Sequence, residues 1–310
     1  MLVLNVLTPV FLLIALGAVL QKTAFVSPGF LREANRVTYW LGLPALLFSQ
    51  LATSMHDASA ASGLFTAVLA GTGLLVALAY GTGVLLRVPG PAMGTFVQGA
   101  FRGNLAFVGL PIIYSLPETT LRGGISLRAA AVLVVAPTMV LYNIAGIVVL
   151  QLSQHRFGVR MLWPFVKQLL STPPLLATIA GVMWALMGWP LPPAVGKALE
   201  SLGEMALPLG LLGVGGALVT VKLGANWRSP LAAALLKTVA SPLCGWLMAR
   251  GLGLGAEETG LVLIFMAAPT AIVSYTMAVE LKGDETLASG TIVLSVLASL
   301  VVLAAIIALH

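Results

Sequence analysis

Apolar runs of bilayer length follow one another along almost the whole chain, and this feature restricts the fold more than any motif does. A hydrocarbon core of about 30 Å takes roughly 20 apolar residues per helical crossing. Such runs cover about residues 2–21, 34–54, 62–86, 96–117, 126–152, 166–187, 196–219, 230–252, 259–281 and 286–309, with charges, Gly and Pro between them. Only 8% of the residues are charged, against about 25% in soluble domains, so a soluble chain is excluded. The fold expected is an all-α polytopic membrane protein of ten transmembrane helices, with connections too short for a soluble domain. The first run has no basic residue before it and Lys22 after it, the reverse of a cleaved signal, so it reads as a mature span.

The remaining charges bear on orientation. Lys22, Arg32, Arg36, Arg87, Arg156, Arg160, Lys167, Lys222, Arg228 and Lys282 fall on odd-numbered connections and their flanks. Arg122, Arg128, Lys197 and Arg250 fall on even ones. The positive-inside bias then puts the odd connections in the cytoplasm and both termini outside, in a cell (plasma or inner) membrane. The same bias accounts for the net charge of +6 without an anionic partner. No basic stretch interleaved with aromatics speaks for nucleic acid. A single cysteine, Cys244, and scattered His56, His155 and His310 offer neither a disulfide nor metal spacing, so no metal or cofactor is expected.

Two landmarks recur at one offset. Thr8-Pro9 with Gly17 returns as Thr172-Pro173 with Gly181, and Leu43-Pro44 as Leu207-Pro208, both 164 residues later. Pro111 and Pro269 form a third pair, 158 residues apart. With five spans per half, the second half must be upside down relative to the first, an inverted repeat as in many secondary transporters. The expected organisation is residues 1–153 as the first five-helix repeat, 154–165 as a cytoplasmic connection and 166–310 as the inverted second repeat.

Spans four and nine each carry a proline at depth, and proline inside a helix removes a donor and frees carbonyls. Freed groups in lipid must be met by protein or water. One reading makes these crossing broken helices 4 and 9, with half-helices that begin at Pro111 and Pro269 and aim their positive ends at a shared anion. The other is an ordinary kink, as for Pro9, Pro44, Pro137, Pro173, Pro174, Pro208 and Pro242.

The run Asn104-Leu105-Ala106-Phe107-Val108-Gly109-Leu110-Pro111 resembles the Asn-x-x-Phe-x-Gly-Leu-Pro segment of the auxin efflux carrier family, which includes plant auxin exporters and bacterial malonate or malate permeases. Pro9 to Gly17, Leu43-Pro44-Ala45-Leu46-Leu47-Phe48, Lys237 to Pro242 and Ala267 to Tyr275 are similar too, so the resemblance spans nearly the whole chain. It implies ten helices in two inverted repeats, a scaffold domain and a transport domain, and fourth and ninth helices that cross at prolines. Carried over, Asn104, Pro111 and Pro269 become substrate-binding candidates, with Gly109 and Thr270 in the same two segments. The long central cytoplasmic loop of plant exporters is missing, so their regulation is not transferred.

Asn104 is a donor for a substrate carboxylate or, more plainly, an interhelical hydrogen bond. Ser274 and Tyr275 follow Pro269 by a turn or more and are placed in the same cavity. Glu200 and Glu204 share a helix face with Lys197. Glu204, the deepest carboxylate, is the candidate carrier of a coupled proton, against the plainer reading of an interfacial pair. Arg102 and Lys237, though inside apolar runs, are expected to snorkel, with a structural ion pair as the next reading for Lys237. The function expected is secondary active transport of small organic anions such as carboxylates by alternating access, coupled to a proton or sodium, with lipid around the protein and a homodimer compatible with it. A channel, a ligand-sensing receptor and an intramembrane enzyme are the rivals. The last needs a paired acid, a Ser-His pair or a His-Glu-x-x-His motif at depth, and none is present.

Overall fold

The computed structural model describes residues 2–53, 61–154, 173–220 and 227–309. Most of the expected connection 154–165 lies outside the described residues, as do His56, Lys167, Lys222 and His310. The regular structure of the described residues is helical, with no strand. Six helices are long and apolar enough to cross a bilayer: Asn5–Lys22, Ser62–Leu85, Leu127–Ser153, Pro193–Val219, Arg228–Gly251 and Glu285–Leu309.

In chain order the helices are α1 (Leu2–Lys22), α2 (Pro28–Val37, continuing through Thr38–Gly42 and Leu43–Ala52), α3 (Ser62–Leu85) and α4 (Gly90–Phe101). There follow α5 (Leu105–Gly109 and Leu110–Ser115), α6 (Leu127–Ser153), α7 (Pro173–Leu186) and α8 (Pro193–Thr220). The rest are α9 (Arg228–Leu235, Leu236–Ala240 and Ser241–Gly251), α10 (Ala256–Ala267), α11 (Val273–Glu280) and α12 (Glu285–Leu309). Side-chain caps fix several starts: Ser27 accepts from Phe30 N, Ser126 from Ala129 N and Asn104 from Phe107 N.

The prolines divide into two kinds. Pro9, Pro137 and Pro208 sit within unbroken helices. Pro44, Pro111 and Pro242 each follow a π turn by two residues, and the turn closes with Leu43 N on Thr38 O, Leu110 N on Leu105 O and Ser241 N on Leu236 O. A proline ring clashes with the carbonyl four residues back, and the wider five-residue bond relieves that clash. These three helices therefore pass their prolines without breaking.

Packing sorts the helices into two groups. In the first, α1 lies along α8 and α2 lies against α7 and α8. Small residues set the approach: a side chain at Gly203 would meet Leu46 Cα at 2.9 Å, and one at Gly181 would meet Leu51 Cβ at 3.0 Å. The run Gly213-Val214-Gly215-Gly216 does the same work, facing Asn35, Ile14 and Leu31. In the second group α3 packs on α9, α4 on α6, and α12 on α9 and α10. Gly71 and Gly245 bring α3 and α9 within van der Waals contact. Asn104 lies where the two groups meet.

Candidate functional site at two interrupted helices

Two helices lose their continuity at one place. After α10, Ala268 turns to φ −54°, ψ 137°, the extended conformation favoured before proline. Pro269 cannot donate, and α11 begins only at Val273. After α4, Arg102 is extended at ψ 90° and Asn104 stands at φ −82°, ψ 69°. The two extended pieces pair as an antiparallel bridge between Gly103 and Thr270. Asn104 N donates to Pro269 O at 2.7 Å, and Ala271 N donates to Arg102 O at 2.9 Å. Backbone groups freed by one break are thus met by the other, as an apolar surrounding requires.

The break in the fourth span is not at Pro111. It lies at Arg102–Asn104, seven residues earlier, and the half-helix expected to begin at Pro111 begins at Leu105. The physical reason is local. Asn104 Oδ1 accepts from Phe107 N at 3.2 Å and starts a new helix. Gly103 admits the close passage of Lys237, whose Cε would stand 3.0 Å from a Cβ there. In the ninth span the half-helix begins four residues after Pro269, not on it.

A cavity of about 540 Å³ opens on this crossing, within the range of small-molecule sites. Its wall includes Leu105, Ala106 and Phe107 from the first turn of α5, and Ala271, Ile272 and Val273 at the start of α11. The positive ends of two helix dipoles therefore face it. The second group adds Met139, Tyr142 and Asn143 of α6, and the first group adds Asn35, Arg36, Tyr39, Gly210 and Val214. The cavity thus lies between the two groups. Among the described residues, none that lines it is acidic.

The candidates fare differently. Asn104 is buried and lines the cavity; with Oδ1 used as a cap, Nδ2 is its remaining donor. Pro269 is in the break and its carbonyl is spent on Asn104. Thr270 lies behind the wall, with N donating to Ser295 Oγ at 2.9 Å and Oγ1 to Gly99 O at 2.8 Å. Gly109 packs on the Phe265 ring, and Pro111 is buried two residues into the α-helical part of α5; neither lines the cavity. On α11 Val273 and Thr276 face the cavity, whereas Ser274 and Tyr275 do not. Ser274 Oγ is buried without a hydrogen-bond partner among the described residues. Glu204, like Glu200 and Lys197, is exposed on α8 away from the cavity.

Arg102 and Lys237 do not snorkel. Arg102 is 6% exposed, lines the cavity and donates through Nη2 to Asn143 Oδ1 and through Nη1 to Met277 Sδ. It has no ion pair among the described residues, whereas Arg36 at the exposed rim pairs with Glu33 at 3.7 Å. Lys237 is fully buried and donates to Met266 O and, at 3.3 Å, to Ser241 Oγ. Snorkelling assumes a path along the helix to the interface; at Arg102 the helix ends at the crossing, and Lys237, within the unbroken α9, is turned inward to Met266 O. The signal that finds both residues is simpler: an ionisable group inside an apolar run.

Residues 2–307 match the family described as Membrane transport protein. No curated relative matches the chain. That family comprises transporters and not enzymes, and the spanning helices make the protein a multi-pass membrane protein. With nearly its whole length matched, the chain belongs to the auxin efflux carrier family of membrane transport proteins.

Proposed function

We propose that the cavity at the crossing binds a carboxylate, and that the protein is a secondary transporter of small organic anions. The observation that carries this reading is Arg102: a buried guanidinium without an acidic partner among the described residues, facing a cavity of about 540 Å³. A charge held at membrane depth costs at least about 2.5 kcal/mol and marks function by default. The carboxylate bonds to Arg102 and to Asn104 Nδ2, against the starts of α5 and α11. Phe107, Met139, Val214 and Ile272 take the apolar remainder of the anion.

Alternating access in this reading is movement of one helix group against the other, since the cavity has walls from both. Ten crossings in two inverted halves are proposed as the frame. The 164-residue recurrence supports them, as does the grouping of α1 and α2 with α7 and α8. For orientation, Thr120→Cys and Thr23→Cys in a Cys244→Ala background are treated with an impermeant thiol reagent in intact cells. Labelling of residue 120 alone agrees with the charge count, and labelling of residue 23 alone reverses it.

The test of function is a thermal-shift screen of purified protein against acetate, malonate, benzoate and indole-3-acetate, in sodium and in potassium salts. A ligand that binds the folded state raises its melting temperature. At least one anion is expected to stabilise the wild type and to lose about a hundredfold in affinity in Arg102→Gln, the upper range for a charge-assisted contact. Equal binding by the variant, or no shift with any anion, overturns the carboxylate site.

A further inference from the structure

Behind the cavity wall lies a second basic side chain that the binding site does not touch. Lys237 sits in the π turn Leu236–Ala240 of α9, fully buried, and does not line the cavity. Gly103 does line it, and a Cβ on Gly103 would stand only 3.2 Å from Lys237 Nζ. One glycine backbone therefore separates the lysine nitrogen from the anion site.

The partners of Lys237 are acceptors that take a hydrogen bond from an amine or an ammonium alike. Met266 O is orphaned by the break, because the N–H four residues on, that of Thr270, is turned to Ser295 Oγ. Ser241 Oγ is the other partner. No carboxylate pairs with Lys237 among the described residues. The helices around it bring none within reach. On α3 the sole titratable group is Tyr80; α4 has none and leads to Arg102; α10 has Glu257 and Glu258 in its first turn; α12 has Glu285 in its first turn. On α9 itself stand Arg228, Cys244 and Arg250. Glu258 is eight residues from Met266, about 12 Å along the helix axis.

A buried ammonium without a counter-charge is costly. An anion in the cavity supplies the missing counter-charge across Gly103. We propose that Lys237 is the coupling residue: its neutral amine takes up a proton when the anion enters and gives it back when the anion leaves on the other side. The added proton comes from the water on the side then facing the cavity and bonds to the Nζ lone pair; nothing is oxidised or reduced. One proton moves with each anion, so a monoanion crosses without net charge. Sodium has no part in this cycle. The inference rests on the carboxylate reading of the cavity, since an empty or cation-filled cavity gives Lys237 no reason to change state.

Anion binding and proton binding are then reciprocal, and each strengthens the other by the same factor. Where one proton enters with the anion, affinity rises by up to about tenfold for each unit the pH falls. The experiment is calorimetry of wild type, Lys237→Arg and Lys237→Met with malonate, benzoate and indole-3-acetate, from pH 6 to 9, in phosphate and in Tris. These buffers differ in ionisation enthalpy and so count protons. The wild type is expected to take up close to one proton per bound anion within that range. Lys237→Arg, permanently charged, should bind at every pH with no uptake. Lys237→Met should bind weakly, with a flat pH profile. Wild-type binding without proton uptake overturns Lys237 while leaving the carboxylate site standing, and so does a pH profile unchanged in Lys237→Arg. Absence of uptake by the wild type overturns Lys237 even if a variant fails to fold. Binding of none of the three anions overturns both readings.

Discussion

The two interrupted helices carry prolines in corresponding places, yet they break in different ways. Between α10 and α11 the proline is in the break: Ala268 is extended ahead of it and Pro269 O takes the bridge from Asn104 N. Between α4 and α5 the proline is seven residues beyond the break, and a π turn carries the helix past it. What interrupts that helix is Gly103, which lets Lys237 approach, and Asn104, which caps the next turn. A proline at membrane depth does not by itself end a helix. It ends one at Pro269, where the other break receives the freed backbone, is passed after a π turn at Pro44, Pro111 and Pro242, and is carried within the α-helix at Pro9, Pro137 and Pro208.

That contrast predicts a ranking. Asn104→Ala removes the cap of α5 and the Nδ2 donor together, and should weaken anion binding about ten- to a hundredfold. Loss of the cap alone costs about 0.5–2 kcal/mol of stability. Asn104→Asp keeps a capping oxygen and loses the donor, so it should melt close to wild type and still bind poorly. A variant that melts early and binds normally would reduce Asn104 to a cap.

Pro269→Ala comes next. It restores an N–H and frees residue 268 for the helix, a bias of up to about 3 kcal/mol toward closing the gap. Transport in proteoliposomes should fall about tenfold while the protein still folds. Pro111→Ala should change transport by less than about threefold, because no break depends on that ring. Equal losses for both would show that the two prolines work alike and would remove the contrast. The smallest effect is expected of Glu204→Gln: with the carboxylate exposed on α8 away from the cavity, uptake and its pH profile should match wild type. A selective loss of pH dependence would move the coupling from Lys237 to Glu204.

How much of this was legible before the fold is clearest residue by residue. The helical runs are plain in the sequence, because lipid leaves few alternatives to an apolar helix of that length. Asn104 and Pro269 are visible as polar and helix-breaking residues inside such runs, and both lie in the paired segments. Ser274 and Tyr275 miss the cavity by register: Val273 and Thr276 face it instead, and a restart at 273 cannot be counted from a proline at 269. Arg102 and Lys237 are hidden for different reasons: Arg102 is the first residue of a break, which puts it in the middle of the protein, whereas Lys237 lies in the unbroken α9 and is held inward by Met266 O, a carbonyl that only the other break frees.

The central claim is that a carboxylate sits between Arg102 and Asn104 at this crossing. The measurement that tests it most directly is a crystal structure with 4-bromobenzoate, the bromine located by its anomalous scattering. The account predicts one strong bromine peak inside the cavity, against Phe107, Met139, Val214 or Ile272, with the carboxylate on Arg102 and Asn104 Nδ2, and no peak in Arg102→Gln crystals. A peak that persists in the variant, a bromine elsewhere in the fold, or a cavity without density at saturating 4-bromobenzoate would contradict it.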